Sequence, residues 1–237
     1  KAGARVTAVN RRRDAALESS YPAVRFECID VRDAKGIQSL ISRVAQAREL
    51  PDLFILNAGI NRVDNDALLD VDTYREAWET NLMGAMHFAA PLTALKSWPH
   101  RVTVIAISSS TNYAANPYCL GYYVGKKALT ESFKILSSMY AGTNLDFRWV
   151  VMGPVPTGIN TSSDKFPKIV IMIRDMFSVS VDRVVRSIAA FADSGRRSLI
   201  LPKRAFVLFQ GIHMMQTLVP GFYSGRKTMD GHARGQG

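Results

Sequence analysis

A long apolar run that stops at three serines constrains the fold of this chain most. The run, VTVIAI, occupies residues 102–107 and is followed by Ser108, Ser109 and Ser110. Such a run, rich in β-branched residues, predicts a strand of a parallel sheet that is buried on both faces. Residues 122–136 follow after a turn-rich loop and carry apolar residues at helical spacing, which predicts an amphipathic helix. Because ligands bind at the carboxyl ends of strands in open α/β sheets, we expect a site between the serines and this helix.

Tyr122 and Lys126 lie four residues apart on the predicted helix, so their side chains are neighbours on its surface. A tyrosine hydroxyl has an ordinary pKa of about 10 and is a poor acid or base at pH 7. A nearby ammonium favours the phenolate, so we expect Lys126 to lower the pKa of Tyr122. A tyrosine tuned in this way can donate a proton to a carbonyl oxygen or take one from an alcohol. With a serine hydroxyl holding the same oxygen, the pattern indicates carbonyl–alcohol interconversion if a hydride carrier is bound.

A second pair with the same spacing, Tyr123 and Lys127, competes for this role. Tyr122 and Lys126 share their helix face with apolar residues, whereas Tyr123 and Lys127 share theirs with polar ones. The apolar face is expected to pack against the sheet. We therefore assign the chemistry to Tyr122 and Lys126, although a Tyr-x-x-x-Lys pattern by itself often occurs by chance.

The segment resembles the active-site segment of the short-chain dehydrogenase/reductase family. That family has a strand ending in Ile-Ser-Ser, here Ile107 to Ser109, and then Tyr-x-x-x-Lys. Its serine lies thirteen residues before its tyrosine, and 122 − 109 = 13 selects Ser109. The resemblance implies a Rossmann-type α/β fold, a three-layer sandwich with a mostly parallel, doubly wound sheet, and residues 1–237 forming a single domain. It also implies a dehydrogenase or reductase in which Tyr122 is the general acid/base, Ser109 orients the substrate oxygen and Lys126 binds the nicotinamide ribose.

Two arginines that follow the first predicted strand bear on the choice of cofactor. The strand ARVTAVN ends at Asn10, and Arg11 and Arg12 come next. In a dinucleotide fold, the end of the second strand meets the adenosine ribose, where an acidic residue holds the 2′-hydroxyl of NAD. A guanidinium suits a 2′-phosphate instead. The resemblance therefore implies NADP as the cofactor and disfavours NAD, with a solvated basic turn as the alternative interpretation of the arginines.

Further residues match the family at its other cofactor-binding positions. The resemblance implies adenine contacts at Asp30 and Val31 after the next strand, and adenine and sheet contacts at the triplet Asn57, Ala58 and Gly59. The resemblance also implies that the nicotinamide end of the cofactor binds at Gly153, Val155 and Thr157. In this loop Met152 replaces the family's proline.

Asn81 lies inside a long predicted helix over residues 72–90. An asparagine in an apolar helix interior competes for backbone hydrogen bonds and needs a reason to be there. The resemblance supplies one, because the family's asparagine bends this helix and holds a water that relays protons to the lysine. His87 on the same helix is interpreted as a packed or surface residue.

Composition limits the remaining classes of function. The formal net charge is +10, but the basic residues are scattered, so nucleic acid is not expected as a partner. The resemblance implies a small carbonyl or alcohol as substrate. Two cysteines give neither a disulfide framework nor metal-ligand spacing, so no metal site and a cytoplasmic location are expected. The resemblance also implies a homodimer or homotetramer.

The two ends of the chain differ from the family pattern. The glycine-rich turn of the family, with its first βα unit of roughly 30 residues, is not found in this sequence, and its loss is expected to leave apolar strand edges. This difference favours an alternative function, a non-catalytic relative acting as a membrane-associated or scaffolding module.

Residues 161–180 predict an apolar substrate lid or a core helix, and they favour an apolar substrate. Residues 205–225 contain no charged side chain. They predict an interfacial helix, a subunit contact or a flap, whereas residues 230–237 are expected to be disordered.

Overall fold

The structure, a computed structural model, describes residues 3–62, 70–113, 119–156, 172, 175–203, 206–207, 210–211, 214 and 218. The strands are β1 (Val6–Asn10), β2 (Val24–Cys28), β3 (Leu53–Leu56), β4 (Val102–Ser109), β5 (Leu145–Met152) and β6 (Ser198–Leu201). The helices are α1 (Ala15–Ser20), α2 (Ala34–Gln46), α3 (Val71–Trp78), α4 (Gly84–Thr93), α5 (Leu120–Met139) and α6 (Val181–Ala192). A π-helical segment, Glu79–Met83, joins α3 to α4, and a 3₁₀ turn, Ser110–Tyr113, follows β4.

Every described strand pair is parallel. β1 pairs with β2, and the other strands form a sheet in the order β3-β4-β5-β6. Parallel strands need crossover connections, which the helices between them provide. The α/β fold with parallel strands is therefore confirmed. The expected continuous sheet appears, among the described residues, as two sheets.

Strand β4 lies at the centre of a three-layer arrangement. All of its residues are buried, and alternate side chains point to opposite faces. Val104 and Ala106 join the larger core cluster, which includes residues of α2, α4 and α5. Ile105 and Ile107 join a second cluster with Phe191 of α6. Helices therefore cover both faces of the strand that ends at Ser109.

Strands β1 and β3 carry apolar side chains that are partly exposed. Val6 on β1 is 49% exposed, and Leu53 and Ile55 on β3 are 39% and 48% exposed. Among the described residues, β1 pairs with β2 and β3 pairs with β4.

Local signals in the sequence explain how α2 begins and packs. Asp33 caps the helix by accepting a hydrogen bond from the Gly36 amide at 3.0 Å, a role that suits an aspartate just before the first helical turn. Ile37 and Ile41 are buried on the face that meets the core, which is the expected apolar stripe.

Several predicted segments lie wholly or largely outside the described residues. They are Thr157, most of residues 161–180, most of residues 205–225 and all of residues 230–237. Within the described part of the chain, no helix is long and apolar enough to cross a membrane. The same residues contain no cluster of three or more His, Cys, Asp or Glu side chains that could hold a metal ion.

Candidate active site

The predicted site residues gather at the carboxyl ends of the strands. Ser109 is the last residue of β4, and Gly153 directly follows β5. Arg11 directly follows β1, and Asn57 directly follows β3. Because the strands of the larger sheet are parallel, Asn57, Ser109 and Gly153 share one edge of that sheet, which is where α/β proteins bind ligands.

Ser109 and Tyr122 meet at this edge. The Ser109 side chain is 9% exposed, and its Oγ atom accepts a hydrogen bond from the Thr111 amide at 3.2 Å. A second hydrogen bond joins the Ser109 and Tyr122 side chains. The thirteen-residue spacing therefore brings together the two hydroxyls that it was expected to bring together.

Lys126 enters the site from the same face of α5 as Tyr122. It is 4% exposed, and its Nζ atom donates a hydrogen bond to the Ile107 carbonyl at 2.8 Å. The Nζ atom lies 6.0 Å from the centroid of the Tyr122 ring. Burial lowers the pKa of Lys126 to about 8, because desolvation disfavours the charged form.

The pKa of Tyr122 shifts in the direction opposite to the prediction. Burial raises the pKa of this hydroxyl, and the hydrogen bond with Ser109 opposes that rise only in part. The expectation of a lowered pKa was wrong, since burial of the hydroxyl has the largest effect on it and raises it. Tyr122 is therefore a protonated phenol at neutral pH.

The competing pair on α5 has a different environment. Tyr123 and Lys127 are half-buried, as Tyr122 is, whereas Lys126 is buried. The Lys127 Nζ atom donates to the Tyr123 hydroxyl at 3.4 Å. Lys126, in contrast, is held at the end of β4, where Ser109 contacts Tyr122. The helix-face argument thus selected the pair that lies beside the serine.

Asn81 and Gly59 complete the inner wall of the site. Asn81 lies in the π-helical segment, is 1% exposed, and holds Ile60 at two points. Its Oδ1 atom accepts from the Ile60 amide at 2.8 Å, and its Nδ2 atom donates to the Ile60 carbonyl at 2.9 Å. A β-carbon on Gly59 would lie 3.1 Å from Asn81 Oδ1 and 3.2 Å from Lys126 Nζ. Asn81 and Lys126 therefore converge on a backbone position that has no room for a side chain.

Charged residues follow strands β1 and β2. Arg11 and Arg12 are exposed. Asp30 lies two residues beyond the end of β2 and forms a two-point ion pair with Arg32, with Nη2–Oδ2 at 2.7 Å and Nε–Oδ1 at 3.1 Å. The hydrogen bond from Arg32 is the main reason why the pKa of Asp30 is lowered, and Arg11 adds a smaller electrostatic contribution. Sequence reasoning missed Arg32, although its place two residues after a candidate binding carboxylate was a usable signal.

The Val31 backbone is supported by α4. The His87 Nδ1 atom lies 2.8 Å from the Val31 carbonyl, which can accept a hydrogen bond from it. A β-carbon on Gly84 would lie 2.8 Å from Val31 Cγ2, so glycine lets the helix approach this turn closely. His87 is therefore a packed residue, as predicted, and it contacts a candidate binding position.

The loop after β5 is held by the neighbouring strand. The Gly153 amide donates to the Leu201 carbonyl at 2.6 Å, and a β-carbon on Gly153 would lie 2.9 Å from Pro202 Cδ. Val155 is half-buried. Asn57 and Ala58, at the end of β3, are exposed.

Comparison with solved structures shows the fold. A short-chain dehydrogenase from Streptomyces avermitilis is 19% identical over 91% of this chain and 85% of its own, with a TM-score of 0.75. A short chain dehydrogenase from Burkholderia cenocepacia in complex with NADP is 20% identical over 91% and 83% of the two chains, with a TM-score of 0.65. A 4-hydroxyisoleucine dehydrogenase complexed with NADH is 16% identical over 83% and 85%, with a TM-score of 0.68.

Sequence comparison identifies the family. No curated protein matches the chain with significance. The sequence model described as short chain dehydrogenase, in contrast, matches residues 1–168 of the 237. Since the match covers well over half of the chain and includes Ser109, Tyr122 and Lys126, this protein belongs to the short chain dehydrogenase family.

Proposed function

We propose that this protein is a nicotinamide-dependent oxidoreductase that interconverts a carbonyl and an alcohol, with NADP as its preferred cofactor. The observation that carries the proposal is the convergence of Ser109, Tyr122 and Lys126 at the carboxyl end of β4. Family membership supports the class of reaction. The NADP and NADH complexes of structures that share the fold support a nicotinamide cofactor.

Tyr122 is the proton donor and acceptor in this proposal. Burial raises the pKa of its hydroxyl, so Tyr122 holds its proton at neutral pH. A protonated phenol can donate to a carbonyl oxygen as negative charge develops there. Ser109, which is hydrogen-bonded to Tyr122, can donate a second hydrogen bond to the same oxygen and so fix its position.

Lys126 and Asn81 support Tyr122. Lys126 is held at Ile107 by its Nζ atom, close enough to Tyr122 to stabilise a phenolate when one forms. Asn81 fixes the Ile60 backbone next to Gly59. Together they keep the inner wall of the site rigid, which preserves the geometry of proton transfer.

The residues along this edge fit a nicotinamide dinucleotide. Lys126 and Tyr122 would hold the nicotinamide ribose, Gly153 and Val155 the nicotinamide side, and Asp30, Val31 and the Asn57–Gly59 triplet the adenine side. Glycine at positions 59 and 153 lets the backbone pack closely on its neighbours, since a β-carbon would lie 3.1 Å from Asn81 Oδ1 or 2.9 Å from Pro202 Cδ. Asn57 and Ala58 are exposed after β3, so a ligand can reach them. When bound, the cofactor supplies the hydride.

The preference for NADP rests on Arg11 and Arg12. Both are exposed beyond β1, whereas the nearest candidate carboxylate, Asp30, is paired with Arg32. An arginine free of strong pairing can bind a phosphate with two hydrogen bonds. Arg11 is the first candidate, because it is close enough to Asp30 to lower the pKa of that carboxyl.

Fluorescence titration with NADPH and NADH tests the cofactor part of the proposal. We expect the wild-type chain to bind NADPH more tightly, and Arg11→Ala to weaken NADPH binding by about 10-fold or more while leaving NADH binding unchanged. Arg12→Ala is the matched control and should have the smaller effect. Equal binding of the two cofactors by the wild type would contradict the NADP preference, and binding of neither by the folded chain would contradict nicotinamide dependence.

A further inference from the structure

Three polar side chains behind the site form a buried hydrogen-bonded cluster. Ser108 is 2% exposed, Asn112 5% and Thr130 2%. Asn112 Nδ2 donates to Ser108 Oγ at 3.1 Å and to Thr130 Oγ1 at 2.7 Å, and the two hydroxyl oxygens lie 2.6 Å apart. The three residues come from β4, the 3₁₀ turn and α5, so the cluster joins three segments that meet at the site. We call these three residues the polar clamp.

The polar clamp acts on the backbone of Lys126. The Lys126 carbonyl lies 3.0 Å from Ser108 Oγ and 3.1 Å from Thr130 Oγ1, and either hydroxyl can donate to it. The two hydroxyls have one proton each. One of them donates to the carbonyl and the other donates to its neighbour, because the hydroxyls are also bonded to each other.

This count of protons explains why an amide stands at position 112. An amide nitrogen provides two N–H donors, one for each hydroxyl, and so leaves both hydroxyl protons for the Lys126 carbonyl and the hydroxyl pair. Among the described residues, Asn112 Oδ1 is buried without a hydrogen-bond partner, and leaving a buried acceptor unpaired is unfavourable. The two amide donors are therefore the part of Asn112 that holds the cluster together.

Lys126 is therefore attached to β4 at two points. Its carbonyl lies 3.0 Å from Ser108 Oγ, and its Nζ atom donates to the Ile107 carbonyl. Ser109, the next residue of β4, is hydrogen-bonded to Tyr122, one turn before Lys126. A shift of α5 along β4 would break these contacts together.

We propose that Ser108, Asn112 and Thr130 are positioning residues that fix the register of α5 on β4 and thereby hold Tyr122 against Ser109. The inference rests on the proposed function for its effect on turnover. Its structural content, the placement of the Tyr122 hydroxyl, is independent of turnover. None of the three residues needs to contact substrate or cofactor.

Paired substitutions at Thr130 test the proposal. Thr130→Val removes the hydroxyl and nearly keeps the shape, whereas Thr130→Ser keeps the hydroxyl. Asn112→Ala removes both amide donors and serves as the second disrupting variant. Ser137→Ala removes another buried serine hydroxyl of α5, away from the polar clamp, and is the control for the loss of a hydroxyl from this helix.

The first readout is the titration of Tyr122 followed by absorbance, as the difference between each protein and the same protein carrying Tyr122→Phe. In Thr130→Val and Asn112→Ala we expect water to reach the phenol, so that the pKa of Tyr122 falls towards about 10. Thr130→Ser and Ser137→Ala should titrate as the wild type does. This readout requires neither cofactor nor substrate.

The second readout is steady-state turnover of a carbonyl substrate with NADPH. We expect kcat to fall on the order of 10-fold to 100-fold in the two disrupting variants, because misplaced catalytic groups cost rate, with KM changed far less. Thr130→Ser should restore kcat. An unaltered Tyr122 titration and unaltered kcat in Thr130→Val would overturn the inference, as would loss of folding in both disrupting variants. If the wild type turns over no carbonyl, the proposed function fails, and the titration still decides the role of the polar clamp.

Discussion

Lys126 is 4% exposed and directs its Nζ atom at a backbone carbonyl. Burial lowers its pKa from the ordinary value of 10.5 to about 8. The unfolded chain therefore binds a proton between pH 8 and 10.5 that the folded chain does not. Below pH 8 both states are protonated, and the full cost of burying the charge is present. That cost is relieved as the pH rises from 8 to 10.5.

Replacing Lys126 with Met removes this proton equilibrium at nearly constant volume. We predict that the free energy of unfolding of the wild type, relative to Lys126→Met, is constant below pH 8 and rises above it. The rise is on the order of 3 kcal/mol by pH 10.5, since one pKa unit corresponds to about 1.4 kcal/mol. Urea unfolding of both proteins over this pH range measures it. Parallel curves for the two proteins would contradict a lowered pKa.

At the scale of single residues, the spacing in the sequence predicted where the side chains lie better than it predicted their pKa values. Two signals placed Ser109, Tyr122 and Lys126 together. They are the thirteen-residue interval, which comes from the family resemblance, and the helical period, which depends on local geometry. The direction of the Tyr122 pKa shift was predicted wrongly, because it depends on how completely the ring is removed from water. That burial comes from tertiary packing, which a four-residue pattern does not contain.

The π-helical segment is the element whose form follows most directly from one side chain. Asn81 uses its amide to hold the Ile60 backbone at two points. Widening the helix turn over Glu79–Met83 accompanies this contact. An asparagine in an apolar helix signalled the irregularity in the sequence, and the structure places the irregularity there.

Removing the Asn81 amide should loosen the strand end that it holds. We predict that Asn81→Ala lowers the free energy of unfolding by about 2 kcal/mol, since it leaves an N–H and a C=O group of Ile60 unpaired. The Ile60 amide should also lose protection from hydrogen exchange. Asn144→Ala, which removes an exposed hydrogen bond to the Trp98 carbonyl, is the control and should cost within about 0.5 kcal/mol. Equal effects of the two substitutions would show that Asn81 does not hold this segment.

Other parts of the elements could not be predicted from local patterns. Strand β2 ends at Cys28, and Asp30, two residues further on, pairs with Arg32, a partner that strand periodicity does not indicate. Ser108, Asn112 and Thr130 each look like an ordinary polar residue of a strand end, a turn and a helix. Only the packing of α5 on β4 makes them one cluster.

Across the whole molecule, Arg148 connects the central sheet to the helix layer on one face. It lies in β5, and its side chain is 2% exposed. It donates to the carbonyls of Phe191, Ala192 and Ser194 at the end of α6. It also pairs with Asp146 at 2.7 Å. The arrangement supplies donors to helix-end carbonyls that the helix itself cannot satisfy.

Two arginines that share Asp146 allow a matched test of this connection. We predict that Arg148→Met lowers the free energy of unfolding by about 3 kcal/mol or more, because it leaves buried carbonyls unpaired and breaks a buried ion pair. Arg101 also pairs with Asp146, but its side chain is 62% exposed, so Arg101→Met should cost less than about 1 kcal/mol. Chemical denaturation measures both. Similar losses for the two variants would contradict a special role for Arg148.

The sequence predicted the α/β class and the parallel strands, because strand–helix alternation determines them. The role of Arg148 could not be predicted, because the sequence pattern shows only a charged residue in a largely apolar strand. The sequence also predicted one sheet where the described residues form two. Strand pairing depends on which edges meet, and periodicity within a strand does not contain that information.

The central claim, that Tyr122 transfers the proton in carbonyl–alcohol interconversion, is tested most directly by NADPH-dependent carbonyl reduction in three proteins. These are the wild type, Tyr122→Phe and the matched control Tyr123→Phe, each with its NADPH affinity measured in parallel. The account predicts that Tyr122→Phe lowers kcat by about 100-fold or more, as expected for loss of a general acid, with NADPH affinity retained, and that Tyr123→Phe stays close to the wild type. A wild-type rate in Tyr122→Phe, or a loss confined to Tyr123→Phe, would contradict it.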